Sequence, residues 1–340
     1  MIRIGFQVWG QAVSWPELAS TARDIERLGF DSLWSNDHLY PAAGPGASTP
    51  DAPDGPFLEG WMTLAGFAAE TETIPLGVLV SGAGYRNPGL LVKQATALDH
   101  VSGGRVTLGL GAGWHEREHR AFGFEYPSLG ERITRLDEQA TAIRRLLDGE
   151  TVTVKGRYVQ MDRARNLPPP LHGRLPFLIG GSGERRTLRI VARVADVWNG
   201  EGDPAAFGRR NAVLDAHCAA IGRPPGEIRR TVGAAPIRIR DTREAAVADL
   251  TGALIANGVT PADAGTAAEE SPLVGDEREV TEVLAAYAAA GADELIADWP
   301  APFDLETLER LATLRSSRRV CNAPGFPSGL AFGPGRNGRE

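Results

Sequence analysis

Residues 74–111, IPLGVLVSGAGYRNPGLLVKQATALDHVSGGRVTLGLG, decide the fold. The stretch opens on an apolar, β-branched strand, Ile74–Val80, and closes on a second one, Arg105–Gly111. Between them Asn87 and Pro88 stand as N-cap and first residue of a helix that reaches Leu98. Strand, helix, strand in this order predicts two parallel strands joined by a right-handed crossover.

The same alternation continues on both sides. Toward the N-terminus, Ile2–Val8 reads as a strand. Ser14–Leu28 reads as a helix with Leu18, Ala22, Ile25 and Leu28 on one face, a capping box at Ser14 and Glu17, and a stop at Gly29. FDSLWSNDH (30–38) is a second strand, residues 40–55 a Gly/Pro/Ala-rich loop of the length typical of lids, and FLEGWMTLAGFAAET (57–71) a helix. Toward the C-terminus come an amphipathic helix over 129–147, a hairpin over 151–160 and a fifth strand, LPFLIGG (175–181). A helix over 184–195, a short sixth strand over 195–198, a helix over 207–221 and a seventh strand over 229–239 follow. VTEVLAAYAAAG (280–291) and DELIADW (293–299) supply the last helix and eighth strand. Eight such units predict an α/β fold of the (β/α)8 TIM-barrel type with insertion segments, an open doubly wound sheet being the alternative. Residues 1–322 read as one domain, and the Gly/Pro-rich residues 323–340 as a disordered tail.

Composition fits a globular protein of 340 residues and 36.2 kDa, and the net charge of −7 argues against nucleic acid or an anionic membrane as partner. The two cysteines, Cys218 and Cys321, form no disulfide framework, and the chain shows neither a signal peptide nor a long apolar span. A cytoplasmic location is expected.

In a barrel the chemistry sits where strands end. Two glycine clusters lie there, GLGAG (109–113) and GGSG (180–183). The second opens a helix, so bare amides, Ser182 and the neighbouring Arg185 and Arg186 suit a phosphate. His38, in SNDH at the end of the second strand, suits proton handling near neutral pH, with Asp37 either orienting it or capping the loop. HEREH (115–119) matches a zinc-site pattern, or else a solvated helix start that brings His115 near the pocket. Glu59 reads as an acid/base or as a first-turn acid serving the helix dipole. Trp9, Trp34, Trp61, Trp114, Trp198 and Trp299 all fall near strand ends, where aromatics suit a flat ring or plain rim packing.

Taken together, residues 29–41, 75–127, 130–149 and 176–199, with a weaker stretch at 279–296, resemble the luciferase-like oxidoreductase superfamily, and most closely its coenzyme F-420 (F420) dependent branch. The resemblance implies a barrel, usually dimeric, that holds a flavin-type ring in its mouth. It implies His38 at the reacting edge with Asp37 beside it, and a non-proline cis peptide at Leu79–Val80 against one ring face. Ala112, Gly113 and Trp114 would lie by the ribityl or phosphate part, and Gly181, Ser182 and Gly183 by the phosphate. Gly82 and Gly84 stand where relatives carry larger residues. The expected activity is hydride transfer between F420 and a small organic substrate, with Trp9, Trp61 and Trp114 shaping the pocket and with no nucleic-acid or membrane partner. The alternatives are a reduced-FMN, dioxygen-using monooxygenase, a zinc hydrolase built on HEREH, and a barrel that binds without catalysis.

Overall fold

The computed structural model describes residues 2–42 and 55–321. Residues 43–54, most of the predicted lid loop, and the predicted tail at 323–340 lie outside the described residues. Eight strands make the barrel: β1 (Arg3–Val8), β2 (Ser32–Ser35), β3 (Leu76–Val78), β4 (Val106–Gly111), β5 (Phe177–Gly180), β6 (Val197–Gly200), β7 (Arg229–Ala234) and β8 (Glu294–Trp299). All neighbours are parallel, and β1 pairs with both β2 and β8. Closure comes where Leu76 and Gly77 of β3 meet Val106 and Thr107 of β4, which rules out the open sheet.

The helices are α1 (Trp15–Arg27), α2 (Gly60–Glu70), α3 (Pro88–Val101), α4 (Glu116–Ala121), α5 (Leu129–Leu147), α6 (Thr187–Val194), α7 (Pro204–Ala220), α8 (Arg243–Ala256), α9 (Pro261–Glu270), α10 (Glu277–Ala289) and α11 (Leu305–Cys321). The caps predicted from sequence form: the Ser14 N–H donates to Glu17 at 2.8 Å, and Asn87 accepts from Gly89 N at 2.8 Å ahead of Pro88. The hairpin pairs Val152–Lys155 with Gln160–Ala164.

Two expectations on strands need correction. Residues 238 and 239 do not continue β7; they pair with Val274–Gly275 in a separate small ladder. Pro236, which has no N–H to give a ladder, separates the two. The sixth strand runs 197–200, two residues later than read, because Ala195 ends the preceding helix.

Alternation along the strands sorts the side chains. On β8, Leu295, Ala297 and Trp299 face the helices, the Trp299 indole donating to Thr21 of α1. Glu294, Ile296 and Asp298 face the barrel axis. Inside, Trp34, Leu79, Leu178 and Ile296 form an apolar plug. Polar residues lie above it at the strand ends, and the plug thus forms the floor of a cavity at the C-terminal mouth. Among the described residues no helix is long and apolar enough to cross a membrane.

Candidate active site

The mouth holds a cavity of about 790 Å³. One wall is glycine-built. The Leu79–Val80 peptide is cis, as the resemblance implies, and interrupts β3 before Ser81 and Gly82 rejoin β4. Val80 then lies over three glycines of the adjacent strands. A Cβ on Gly111 would come 2.6 Å from a Val80 methyl, and one on Gly180 would come 3.1 Å from it. At Gly109 a Cβ would meet the Val78 carbonyl at 2.0 Å. Gly109 and Gly111 therefore make room for the chain at residues 78–80.

The other cluster, for which a phosphate was expected, opens onto the cavity. Gly181 (φ +127°), Ser182 and Gly183 line the cavity with Thr187 at the start of α6. Arg185 does not line the cavity. Arg186 is turned outward, donating to the Gly130 carbonyl at 2.9 Å and to Thr134. The cation that does reach the wall is Arg132 of α5. It donates to the Pro127 carbonyl and stacks over Tyr126, while its Nε is buried and has no partner. The Gly181 N–H is already given to the Asn199 carbonyl at 3.0 Å, so the group that fits an anion such as a cofactor phosphate is the buried Arg132 guanidinium N–H without an acceptor.

His38 lines the cavity, and its partner is Glu118, not Asp37. His38 Nδ1 lies 2.9 Å from Glu118 Oε1. The same carboxylate accepts from Leu39 N at 2.8 Å and from the Tyr85 hydroxyl. Glu118 is fully buried. Burial pushes its carboxyl upward, but the bonds from His38, Tyr85 and Leu39 outweigh that and hold it at about 2. An ionised carboxylate only accepts, so Nδ1 carries a proton and Nε2 is left as the nitrogen available at the cavity. The ring is held edge-on to Trp114 at 5.4 Å.

Asp37 also lines the cavity, but both of its oxygens take the Arg86 guanidinium. Arg86 in turn bonds Glu59, which caps α2 by accepting from Met62 N at 2.7 Å. Glu59 does not line the cavity: it is the N-cap, one residue ahead of the first turn where it was expected, and its position does not match the acid/base reading. Gly60 follows because α2 starts against the Asn36–Asp37 backbone, where a Cβ would lie 2.5 Å from the Asn36 carbonyl.

Of the residues expected at the pocket, Trp9, Trp61, Trp114 and His115, two are likewise displaced. Trp61 is buried behind the wall, donating to Ser81 Oγ at 2.8 Å. His115 caps α4 and bonds the Pro41 carbonyl through Nε2 at 3.1 Å. Trp9 lines the cavity, as do Leu79, Val80, Gly82, Ala112, Gly113 and Trp114. Trp34 sits in the plug, Trp198 stacks on Phe207, and Trp299 faces α1. His119 Nδ1 lies 2.9 Å from the His115 carbonyl, so the two histidines of HEREH are turned to separate partners. Burial lowers both of their pKa values. Among the described residues no group of three His, Cys, Asp or Glu side chains could hold a metal, and the zinc reading has no site.

Sequence reasoning missed three residues. Glu118 was inside HEREH but read as part of that pattern. Arg132 was one of many arginines. Asp298, read only as part of the eighth strand, lines the cavity wall, where burial lifts its carboxyl to about 7 despite a hydrogen bond from Trp9.

A closed barrel with a cavity at its C-terminal mouth, walled by a cis peptide lying over glycines, defines an α/β barrel with its candidate site where the strands end. The chain belongs to the luciferase-like monooxygenase family, whose model matches residues 1–294. A curated relative, the F420-dependent glucose-6-phosphate dehydrogenase of Nakamurella multipartita, is 33% identical over 196 residues, or 57% of this chain and 55% of that protein. The chain spans between 55% and 66% of the length of the curated relatives it matches. Two solved structures share the fold. An F420-dependent secondary alcohol dehydrogenase in complex with an F420-acetone adduct is 18% identical, with 92% and 97% of the two chains covered and a TM-score of 0.75. A monooxygenase from Streptomyces bottropensis is also 18% identical, covering 94% and 99% with a TM-score of 0.74.

Proposed function

We propose that this protein is an oxidoreductase that binds coenzyme F420 and moves a hydride between it and a small organic hydroxyl or carbonyl compound. The observation that carries the reading is His38 on the cavity wall, with Nδ1 bound to the buried Glu118 carboxylate and Nε2 left to the cavity. When bound, the deazaflavin ring supplies the hydride acceptor for a carbon–hydrogen bond of an alcohol, or the hydride donor in the reverse direction.

The chain's own residues do the rest. His38 Nε2 takes the proton of the substrate hydroxyl as that carbon is oxidised to a carbonyl, and returns it in the reverse direction. Glu118 fixes the tautomer and stabilises the imidazolium formed. Leu79, Val80 and Trp114 give the cavity an apolar face for a flat ring. Gly181, Ser182, Gly183 and Arg132 hold the phosphate, keeping the ring in register with His38. Relatives named as F420-dependent dehydrogenases support F420 as the cofactor.

Reduced FMN with dioxygen is the second reading, favoured by the likeness in fold to a monooxygenase. Fluorescence titration of the purified protein with F420 and with FMN separates the two. The expected result is saturable 1:1 binding of F420; binding of FMN alone overturns the first reading.

A further inference from the structure

The wall of the cavity away from the phosphate cradle carries chemistry of its own. Asp298 is the uppermost inward residue of β8, beside Gln7 of β1 in the ladder. The β7 ladder against β8 ends one residue below it, at Ala234↔Ala297. Its neighbours on β7 are Gly233 and Ala234, so no bulky side chain from that strand fills the space before the carboxyl. The Trp9 indole hydrogen-bonds it from the side. Among the described residues it forms no ion pair.

Glu201 is a second acid that acts on Asp298, and the same cavity lining carries the amides Gln7, Gln11, Asn36 and Asn199. The one cation on the described cavity wall, Arg132, comes from α5, which packs against α6 next to the cradle. An anionic head placed at Asp298 would face two carboxylates with no counter-charge.

We propose that Asp298 anchors the substrate, and that this substrate is a hydroxyl- or amine-bearing compound without phosphate or carboxylate. The inference rests on the oxidoreductase reading and gives that site its substrate class. The carboxyl accepts from a second hydroxyl or an ammonium group while His38 serves the reacting hydroxyl. Because burial brings Asp298 to about 7, it can also donate to an ether or carbonyl oxygen near neutral pH. The selection runs opposite to a sugar phosphate, the substrate in the name of the Nakamurella relative.

The test uses the F420-loaded full chain and its Asp298→Asn and Asp298→Ala variants. F420 affinity is measured first, by fluorescence; failure of the wild type to bind removes the F420 reading on which the proposal rests. Three probe classes follow: 1,2-propanediol and glucose as uncharged, 1-amino-2-propanol as cationic, and glucose 6-phosphate as anionic. Each is scored by F420 absorbance change and by saturation-transfer NMR, which reports binding without turnover. The expected result is that uncharged or cationic probes bind and glucose 6-phosphate does not. Their KM or Kd should rise about tenfold or more in both variants, with F420 affinity and kcat changed far less. Tighter binding of glucose 6-phosphate overturns the proposal. So does an Asp298→Ala variant with unchanged KM and Kd, or a failure of every uncharged and cationic probe to bind F420-loaded protein.

Discussion

Replacing Glu118 by glutamine tests the proton-handling pair with almost no change in shape. The carboxyl is held at about 2 against an ordinary 4.5, which corresponds to about 3 kcal/mol in favour of its ionised form at 1.36 kcal/mol per pH unit. That stabilisation comes from donors converging on two oxygens: His38 Nδ1, Leu39 N and the Tyr85 hydroxyl, with Tyr40 N at 3.4 Å. A glutamine offers one oxygen, so its amide meets at least one donor head-on, at a cost of about 1–3 kcal/mol. His38 also loses the group that fixes its tautomer. In kinetic assays with any alcohol the wild type oxidises, E118Q should lower kcat by roughly 10²–10⁴. F420 affinity, set by the cradle, should stay nearly constant. The stability sign follows from the depressed value: the contribution is complete above about 4.5 and is lost as pH falls toward about 2. Acid titration of thermal stability should therefore show a limb in the wild type that E118Q lacks. An E118Q enzyme with native kcat and an unchanged acid limb would refute the dyad.

Four further outcomes are expected. His38→Ala should lower kcat far more than F420 affinity; equal losses in the two would remove His38 from the chemistry. Gly111→Ala places a methyl 2.6 Å from stiff, β-branched Val80 and should cost about 1–3 kcal/mol of stability by thermal melt, with weakened F420 binding. Arg132→Ala should weaken F420 by about tenfold, read by fluorescence, since it removes the only cation on the described wall. The raised Asp298 carboxyl contributes stability that is complete below about 3.8 and is lost as pH rises toward about 7, so Asp298→Asn should flatten the wild type's decline across that window in a pH series of melts.

Much of the barrel was legible because local signals agreed with it. Ser14, Glu17 and Gly29 bracket α1, and Asn87–Pro88 opens α3. His38 was legible from its place at a strand end. The helices α8 and α9 were not read, although Thr242 and Thr260–Pro261 start them, because their Ala-rich sequence shows little amphipathic contrast. They bury a small core of their own around Leu250, Leu254 and Ala264, against which Trp9 packs. What stayed hidden depends on distant juxtaposition. Glu118 lies 80 residues from His38, and HEREH, with its flanking arginines, read as a solvated helix start, whereas His115, Glu118 and His119 are all buried. Asp298 and Trp9 come from opposite ends of the chain and meet only because β8 closes onto β1.

The most direct test of the account is a crystal structure of the protein with F420 bound. The account predicts the ring against Leu79–Val80, the phosphate among Gly181–Gly183 and Arg132, and His38 Nε2 at the ring's reacting edge. A ring lying outside this cavity, or a phosphate away from that cradle, would contradict it.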